Sequence, residues 1–179
     1  MKVTVIGGAG FIGSCCTELL LDRGVDVLVL DSLINGYPEA IDERARFEKV
    51  DLGERDRIHE ILSCEKPDGI IHFGAFIEVG ESMKAPGKYF RNNVAKGLNL
   101  LDAAVANGVP KVVFSSTAAV YGMPEKVPIT EEEALNPVNP YGESKLMFER
   151  MLKWYHEIHS LPYVALRYFN AAGATEKFG

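Results

Sequence analysis

Only three cysteines occur in the 179 residues, Cys15, Cys16 and Cys64, and neither their odd number nor their spacing suits a disulfide framework or a thiolate metal site. Basic residues are in deficit as well. The 19 Lys and Arg against 25 Asp and Glu leave a formal charge of −6, with no basic cluster, which argues against nucleic acid as a partner. No apolar run reaches the roughly 18–20 residues that a membrane span needs, so no membrane partner is expected. The opening Met1–Ile6 runs straight into Gly7-Gly8 and reads as a strand entering a turn, not as a secretory signal. These absences place the chain, as an expectation, in a reducing cytoplasm, with Cys15 and Cys16 packing on a helix. His156-Glu157-Ile158-His159 is one residue short of the H-E-x-x-H zinc pattern, so no metal is expected. Internal repeats and low-complexity tracts are missing too.

What remains is 47% hydrophobic and 25% charged, the composition of one soluble globular domain. Short apolar runs alternate with longer amphipathic stretches, the βαβ pattern of a parallel sheet. The pattern predicts strands near Val3–Ile6, Val27–Leu30, Phe47–Val50, Gly69–Phe73, Lys111–Ser115 and Tyr163–Arg167. It predicts helices near Phe11–Arg23, Arg55–Ser63, Tyr89–Asn107 and Tyr141–Ser160. Continuous apolar strands such as Val-Leu-Val-Leu imply a sheet covered on both faces. The expected class is α/β, a doubly wound, mostly parallel sheet. Ser32–Arg46 and the proline-bearing Tyr121–Pro140 are left as irregular segments.

Gly7-Gly8-Ala9-Gly10-Phe11-Ile12-Gly13 lies between the first strand and the first helix and satisfies G-x-G-x-x-G. Missing side chains allow a tight turn and a close approach to a pyrophosphate, and the helix N-terminus supplies free N–H groups and a positive dipole end. Glycine-rich turns often only connect elements, but the strand-to-helix setting points to a dinucleotide and hence a Rossmann-type domain. Asp31 ends the second strand about 20 residues on, where a carboxylate accepts from a ribose 2′-hydroxyl and repels a 2′-phosphate. No Lys or Arg occurs from Ser32 to Gly36, so NAD is favoured over NADP.

Tyr141-Gly142-Glu143-Ser144-Lys145 puts a phenol and an ammonium on one helix face. A nearby cation lowers the pKa of a tyrosine that is otherwise a poor base at neutral pH. Alone, Y-x-x-x-K describes many solvated surface pairs. It gains meaning here from the glycine cradle and from the strand end Ser115-Ser116-Thr117, since ligands sit beyond the carboxyl ends of parallel strands. Those hydroxyls could equally satisfy a turn. His72 reads as a satisfied core residue in an apolar strand. Trp154, Met151, Leu152 and Ile158 read as a core or subunit-contact face.

With these residues the chain resembles the extended short-chain dehydrogenase/reductase family. The matching stretches are Gly7–Gly13, Asp31-Ser32-Leu33-Ile34-Asn35, Val50-Asp51-Leu52, His72-Phe73-Gly74-Ala75, Val79-Gly80-Glu81-Ser82, Asn92-Asn93-Val94, Phe114–Gly122, Tyr141–Met147 and Leu166–Gly173. Val79–Ser82 and Arg167–Gly173 pull it towards the nucleotide-sugar 4-epimerase branch. The resemblance implies catalysis by Tyr141, Lys145 and Thr117. It implies a cofactor site of Gly7, Gly10, Phe11, Ile12, Gly13, Asp31, Asn35, Asp51, Leu52, Phe73, Gly74, Ala75, Asn93, Ser115, Ser116, Tyr141, Lys145 and Tyr168. The sugar would meet Thr117, Tyr141, Phe169 and Asn170. The implied reaction inverts C4 of a UDP-hexose (UDP-glucose or UDP-galactose) through a transient 4-keto sugar. A homodimer through helices 89–107 and 141–160 is expected.

Three departures stand out. Ile6 occupies a position where the family usually has Thr, and Ile77 one where 4-epimerases often carry Lys. The sequence ends at Gly179, while family members continue for another hundred or more residues that hold most of the nucleotide-sugar pocket. Residues 1–179 therefore read as the NAD-binding domain, with the substrate domain largely absent. Two alternatives stay open: a nucleotide-sugar dehydratase or decarboxylase with the same first step, and a non-catalytic NAD-binding module.

Overall fold

The computed structural model describes residues 1–124 and 126–175. Its core is one six-stranded sheet of β1 (Lys2–Ile6), β2 (Asp26–Asp31), β3 (Arg46–Lys49), β4 (Gly69–His72), β5 (Val112–Thr117) and β6 (Tyr163–Tyr168). Every pairing is parallel and the order is β3-β2-β1-β4-β5-β6, the Rossmann arrangement. The order reverses between β1 and β4, and that point opens a crevice at the carboxyl edge. Phe73 N–H and Gly74 N–H both donate to the Ile6 carbonyl, at 2.8 and 3.1 Å, and close the crevice floor.

Alternation along β2 builds two cores. Leu28 and Leu30 join Ile58, Leu62, Leu100, Phe114, Phe148 and Leu152 on one face, under α2 (Arg55–Glu65), α5 (Gly97–Ala106) and α6 (Pro140–His159). Val27 and Val29 turn the other way, with Val3 and Val5, towards α1 (Phe11–Asp22) and its Leu20 and Leu21. Both faces are thus served, but unequally. Towards β6 the second face is bare among the described residues, where Val164 and Leu166 stay exposed while Tyr163 and Ala165 pack inward. The edge strand β3 carries Arg46, which pairs with Glu65 and Asp26, so charge guards that edge.

Besides shifts of one or two residues at several element ends, the structure departs from the sequence expectation near the cleft. The region around 89–107 is not one α-helix. A short α3 (Val79–Ser82) precedes α4 (Pro86–Tyr89), then a π-helical stretch Phe90–Lys96, then α5. Strand β5 continues to Thr117, because Ser116 and Thr117 keep register with Arg167 and Tyr168 of β6. A 3₁₀ turn, Ala118–Tyr121, follows it directly. Helix α6 starts one residue early, at Pro140, whose missing N–H is no loss at a first helical position. Asn139 caps it by accepting from Gly142 N–H at 2.8 Å.

Candidate active site

A cleft of about 1200 Å³ lies over the carboxyl ends of β1, β2, β4 and β5. Of the residues expected at a cofactor or substrate site, all but Asn93 line it.

The cradle is made by backbone proximity. Gly7 holds φ +79°, and a Cβ there would stand 2.6 Å from Gly74 N. At Gly13 a Cβ would stand 2.2 Å from the Gly7 carbonyl oxygen. Helix α1 starts on Gly10 with neither a side-chain cap nor an acidic residue in its first turn, so its leading N–H groups face the cleft uncompensated. These features fit a dinucleotide pyrophosphate. Ile6 is buried against the α2–α5–α6 core, so an apolar contact fills the place expected to carry a hydroxyl.

Asp31 does more than its strand-end position suggested. One carboxylate oxygen accepts from Ala9 N–H at 3.0 Å and the other from Leu33 N–H at 2.8 Å. It ties the glycine loop to the loop after β2 while lining the cleft beside Asn35. Asp51 is held by Lys96 at 2.7 Å and by Gly53 N–H at 2.6 Å, and the Leu52 carbonyl accepts from Asn99 at 2.8 Å.

Asn93 is a correction. Its amide donates to the Phe76 carbonyl and to Ser144 Oγ, both at 3.0 Å, and its oxygen accepts from Phe76 N–H at 2.9 Å. The side chain is spent bracing the β4–α3 loop against α6. Asn92 lines the cleft instead. The π-helical winding shifts the register that a plain α-helix would give, and π turns recur at functional sites. Ser116 is a partial correction. It lines the cleft, but its hydroxyl is turned away to Glu149.

Thr117, Tyr141 and Lys145 meet on one wall. Burial pushes the Tyr141 phenol above its ordinary pKa, and hydrogen bonding from the adjacent Thr117 side chain, which favours the phenolate, offsets only part of that rise. Lys145 is 2% exposed, donates to the Ser115 carbonyl at 2.7 Å and lies 4.8 Å from the Phe114 ring centre. Loss of hydration lowers its pKa to about 7. His72, packed between Phe114 and Phe148, is pushed down to about 3 by burial and by the Lys145 charge, so it is neutral. It is a core residue as expected, yet its Nδ1 has no protein partner. Tyr168, Phe169 and Asn170 close the far side, the last two exposed. His156 and His159 lie apart on α6, with Nδ1 of His156 at 3.2 Å from the Leu161 carbonyl and His159 against Tyr155.

The buried lysine has a pH consequence. Below pH 7 both the folded and unfolded chains hold its proton, and the burial cost is complete. Between about pH 7 and 10.5 the unfolded chain holds a proton that the folded chain has released, so stability rises with pH. Lys145→Met has no group there to titrate. In paired melts of the empty protein from pH 7 to 9, the unmodified chain should gain on the variant by roughly 1 kcal/mol per pH unit. A difference that stays constant with pH would contradict this.

Ile77, Glu78 and Val79 also line the cleft and carried no site expectation of their own, Ile77 having been noted only as a departure. The motif Val79–Ser82 could have pointed to this loop. Asn92 stands in the same motif as Asn93, and the sequence alone does not distinguish the two.

Residues 3–178 match the model of the NAD dependent epimerase/dehydratase family. The chain is 51% identical over 174 residues to the UDP-glucose 4-epimerase of Lacticaseibacillus casei, covering 97% of this chain and 53% of that protein. With the UDP-glucose 4-epimerase of Lactobacillus helveticus it shares 49% identity, over 98% and 53%. Among solved structures, the UDP-glucose 4-epimerase from Brucella ovis in complex with NAD superposes with a TM-score of 0.95 at 45% identity, covering 97% of this chain and 53% of that one. The Thermotoga maritima UDP-glucose 4-epimerase with UDP-glucose gives 0.93 at 34% identity, over 97% and 57%. The chain therefore spans about half the length of the curated relatives it matches. On the fold, the glycine cradle and the family match together, this chain belongs to the NAD dependent epimerase/dehydratase family.

Proposed function

We propose that residues 1–179 are the NAD-binding and proton-transferring part of a UDP-hexose 4-epimerase, an isomerase of UDP-glucose and UDP-galactose. The observation that carries this reading is the meeting of Thr117, Tyr141 and Lys145 on the cleft wall above the Gly7–Gly13 cradle. The cradle, Asp31, Asp51, Leu52 and Phe73–Ala75 would hold NAD. When bound, NAD supplies a hydride acceptor and donor. Tyr141 takes the C4 hydroxyl proton and later returns it. Thr117 orients the phenol and the sugar hydroxyl together, and Lys145, when it holds its proton, favours the phenolate. Phe169 and Asn170 bound the space in which the 4-keto sugar turns. Relatives named for this reaction support the substrate. A dehydratase needs an acid beside the hydroxyl position, and Ala118 and Ala119 stand there.

The test has two stages. Mass spectrometry of denatured protein should find released NAD and no NADP, and UDP-galactose should then yield UDP-glucose in a coupled assay. Release of NADP would remove the argument from Asp31, and a NAD-loaded protein inert towards UDP-galactose would leave only a binding module.

The reading includes a cytoplasmic homodimer. No helix among the described residues is long and apolar enough to cross a membrane, and all three cysteines are free. Met147, Trp154 and Ile158 of α6 form an exposed apolar stripe at helical spacing, with exposed Leu98 on neighbouring α5. Light scattering at tens of micromolar should give twice the 19.7 kDa chain mass. A strict monomer would assign that stripe to another contact.

A further inference from the structure

Tyr141, Lys145 and Glu149 follow one another at i, i+4 and i+8 on α6, so the face carrying the phenol and the ammonium continues into a carboxylate. Glu149 is 8% exposed. Its Oε1 accepts from Ser116 Oγ of β5 and from Arg167 Nε of β6 at 3.1 Å, and its Oε2 accepts from the same guanidinium at 2.8 Å. The remaining arm of Arg167 donates to the Tyr121 hydroxyl at 2.9 Å, at the end of the 3₁₀ turn. The proton chemistry uses none of these side chains. Yet Ser116 and Arg167 are register partners, and the next pair in register is Thr117 and Tyr168, both in the cleft.

Buried ion pairs are weak stabilisers, because desolvation offsets most of the attraction. A bidentate fork with a further donor does fix geometry tightly. We propose that Glu149 is a positioning residue for the Thr117–Tyr141 pair. Through Ser116 and Arg167 it holds β5 and β6 against the catalytic face of α6, and so keeps the Thr117 hydroxyl on the phenol. The inference rests on Tyr141 being the proton-transfer group.

Position and charge predict opposite signs, which makes the idea testable. Glu149→Gln removes a negative charge and leaves Arg167 positive. By Coulomb attraction alone this favours the phenolate and lowers the Tyr141 titration midpoint. Loosening the Thr117 hydrogen bond works the other way and raises it. Ser116→Ala leaves both charges in place and cuts only the tie to β5.

The measurement is an NMR titration of the NAD-loaded chain with ¹³C-labelled tyrosine rings, the Tyr141 signal being identified by its loss in Tyr141→Phe. Both variants should raise the Tyr141 midpoint by about half to one unit, the worth of one hydrogen bond. An unchanged midpoint in Ser116→Ala, or a fall in Glu149→Gln, would overturn the proposal. Should Glu149→Gln not fold, Ser116→Ala decides alone. Failure of the underlying reading shows separately. It appears as a midpoint in the unmodified NAD-loaded chain that stays at or above the ordinary phenol range, while the comparison with Ser116→Ala still judges the positioning.

Discussion

Gly13→Ala is expected to weaken NAD binding at least about a hundredfold, or about 2.8 kcal/mol, and to destabilise the empty domain. The added Cβ would meet the Gly7 carbonyl oxygen at 2.2 Å, Gly8 Cα at 2.8 Å and the Gly7 carbonyl carbon at 2.9 Å. All three are backbone atoms, so no side chain can swing aside. Gly7 cannot retreat either, because it already lies against the backbone of Gly74. The first turn of α1 must therefore move off the loop, and the N–H groups meant for the pyrophosphate move with it. Overpacking of this kind costs roughly 1–3 kcal/mol in stability, which lowers the melting temperature by roughly 2–12 °C in a chain of this size. Titration calorimetry and thermal melts read the two effects separately. Gly80→Ala is the control, since a Cβ there meets nothing within 4 Å, and its NAD affinity should stay within about twofold. If Gly13→Ala also bound within a few-fold, contact between helix and loop would not be what shapes the cradle.

The cradle was legible in the sequence because glycine spacing has few other uses directly between an apolar strand and a helix. The central strands were legible for a related reason. Val27–Leu30 is apolar at every position because two cores pull on alternate residues, and a solvated strand would show polar gaps. The charged edge strand Arg46–Lys49 was found only approximately, its residues looking much like a loop's.

What stayed hidden depends on contacts distant in the chain. Nothing in Asn92-Asn93 tells a π winding from an α winding, yet one residue of register decides which amide faces the cleft and which braces Ser144. Ser116 and Thr117 look like a turn, and only pairing with Arg167 and Tyr168 keeps them in the strand. Asp31 was found through its spacing from the glycines. Its grip on Ala9 N–H had no local signal. Nothing in the sequence marks Glu149 and Arg167 as partners, since a buried ion pair and two solvated ions have the same letters. The i+8 spacing from Tyr141 was the sole hint.

Tyr141→Phe is expected to slow conversion of UDP-galactose into UDP-glucose by about 10²–10⁴-fold, the usual worth of a positioned acid–base group, with NAD affinity little changed. The variant keeps the ring and its packing but loses the proton carrier and the hydrogen bond with Thr117. In the empty cleft the phenol is raised by burial, and Lys145, held on the Ser115 carbonyl, stands one helical turn further along the same face. In its protonated form that lysine would favour the phenolate. The starting rate is itself constrained. Beyond Thr117 and Tyr141, the side where the sugar would sit offers Phe169, Asn170 and Ala171, all exposed. Holding a substrate near attack geometry is worth ~7–11 kcal/mol, and three exposed residues supply little of it. The 179-residue chain by itself should therefore turn over below about 1 s⁻¹, under the ordinary enzyme range. The comparison needs micromolar protein and long incubation, with UDP-glucose read by a coupled dehydrogenase. Equal rates for Tyr141→Phe and the unmodified chain, at matched NAD occupancy, would remove Tyr141 from the chemistry and leave the cleft as a binding site alone.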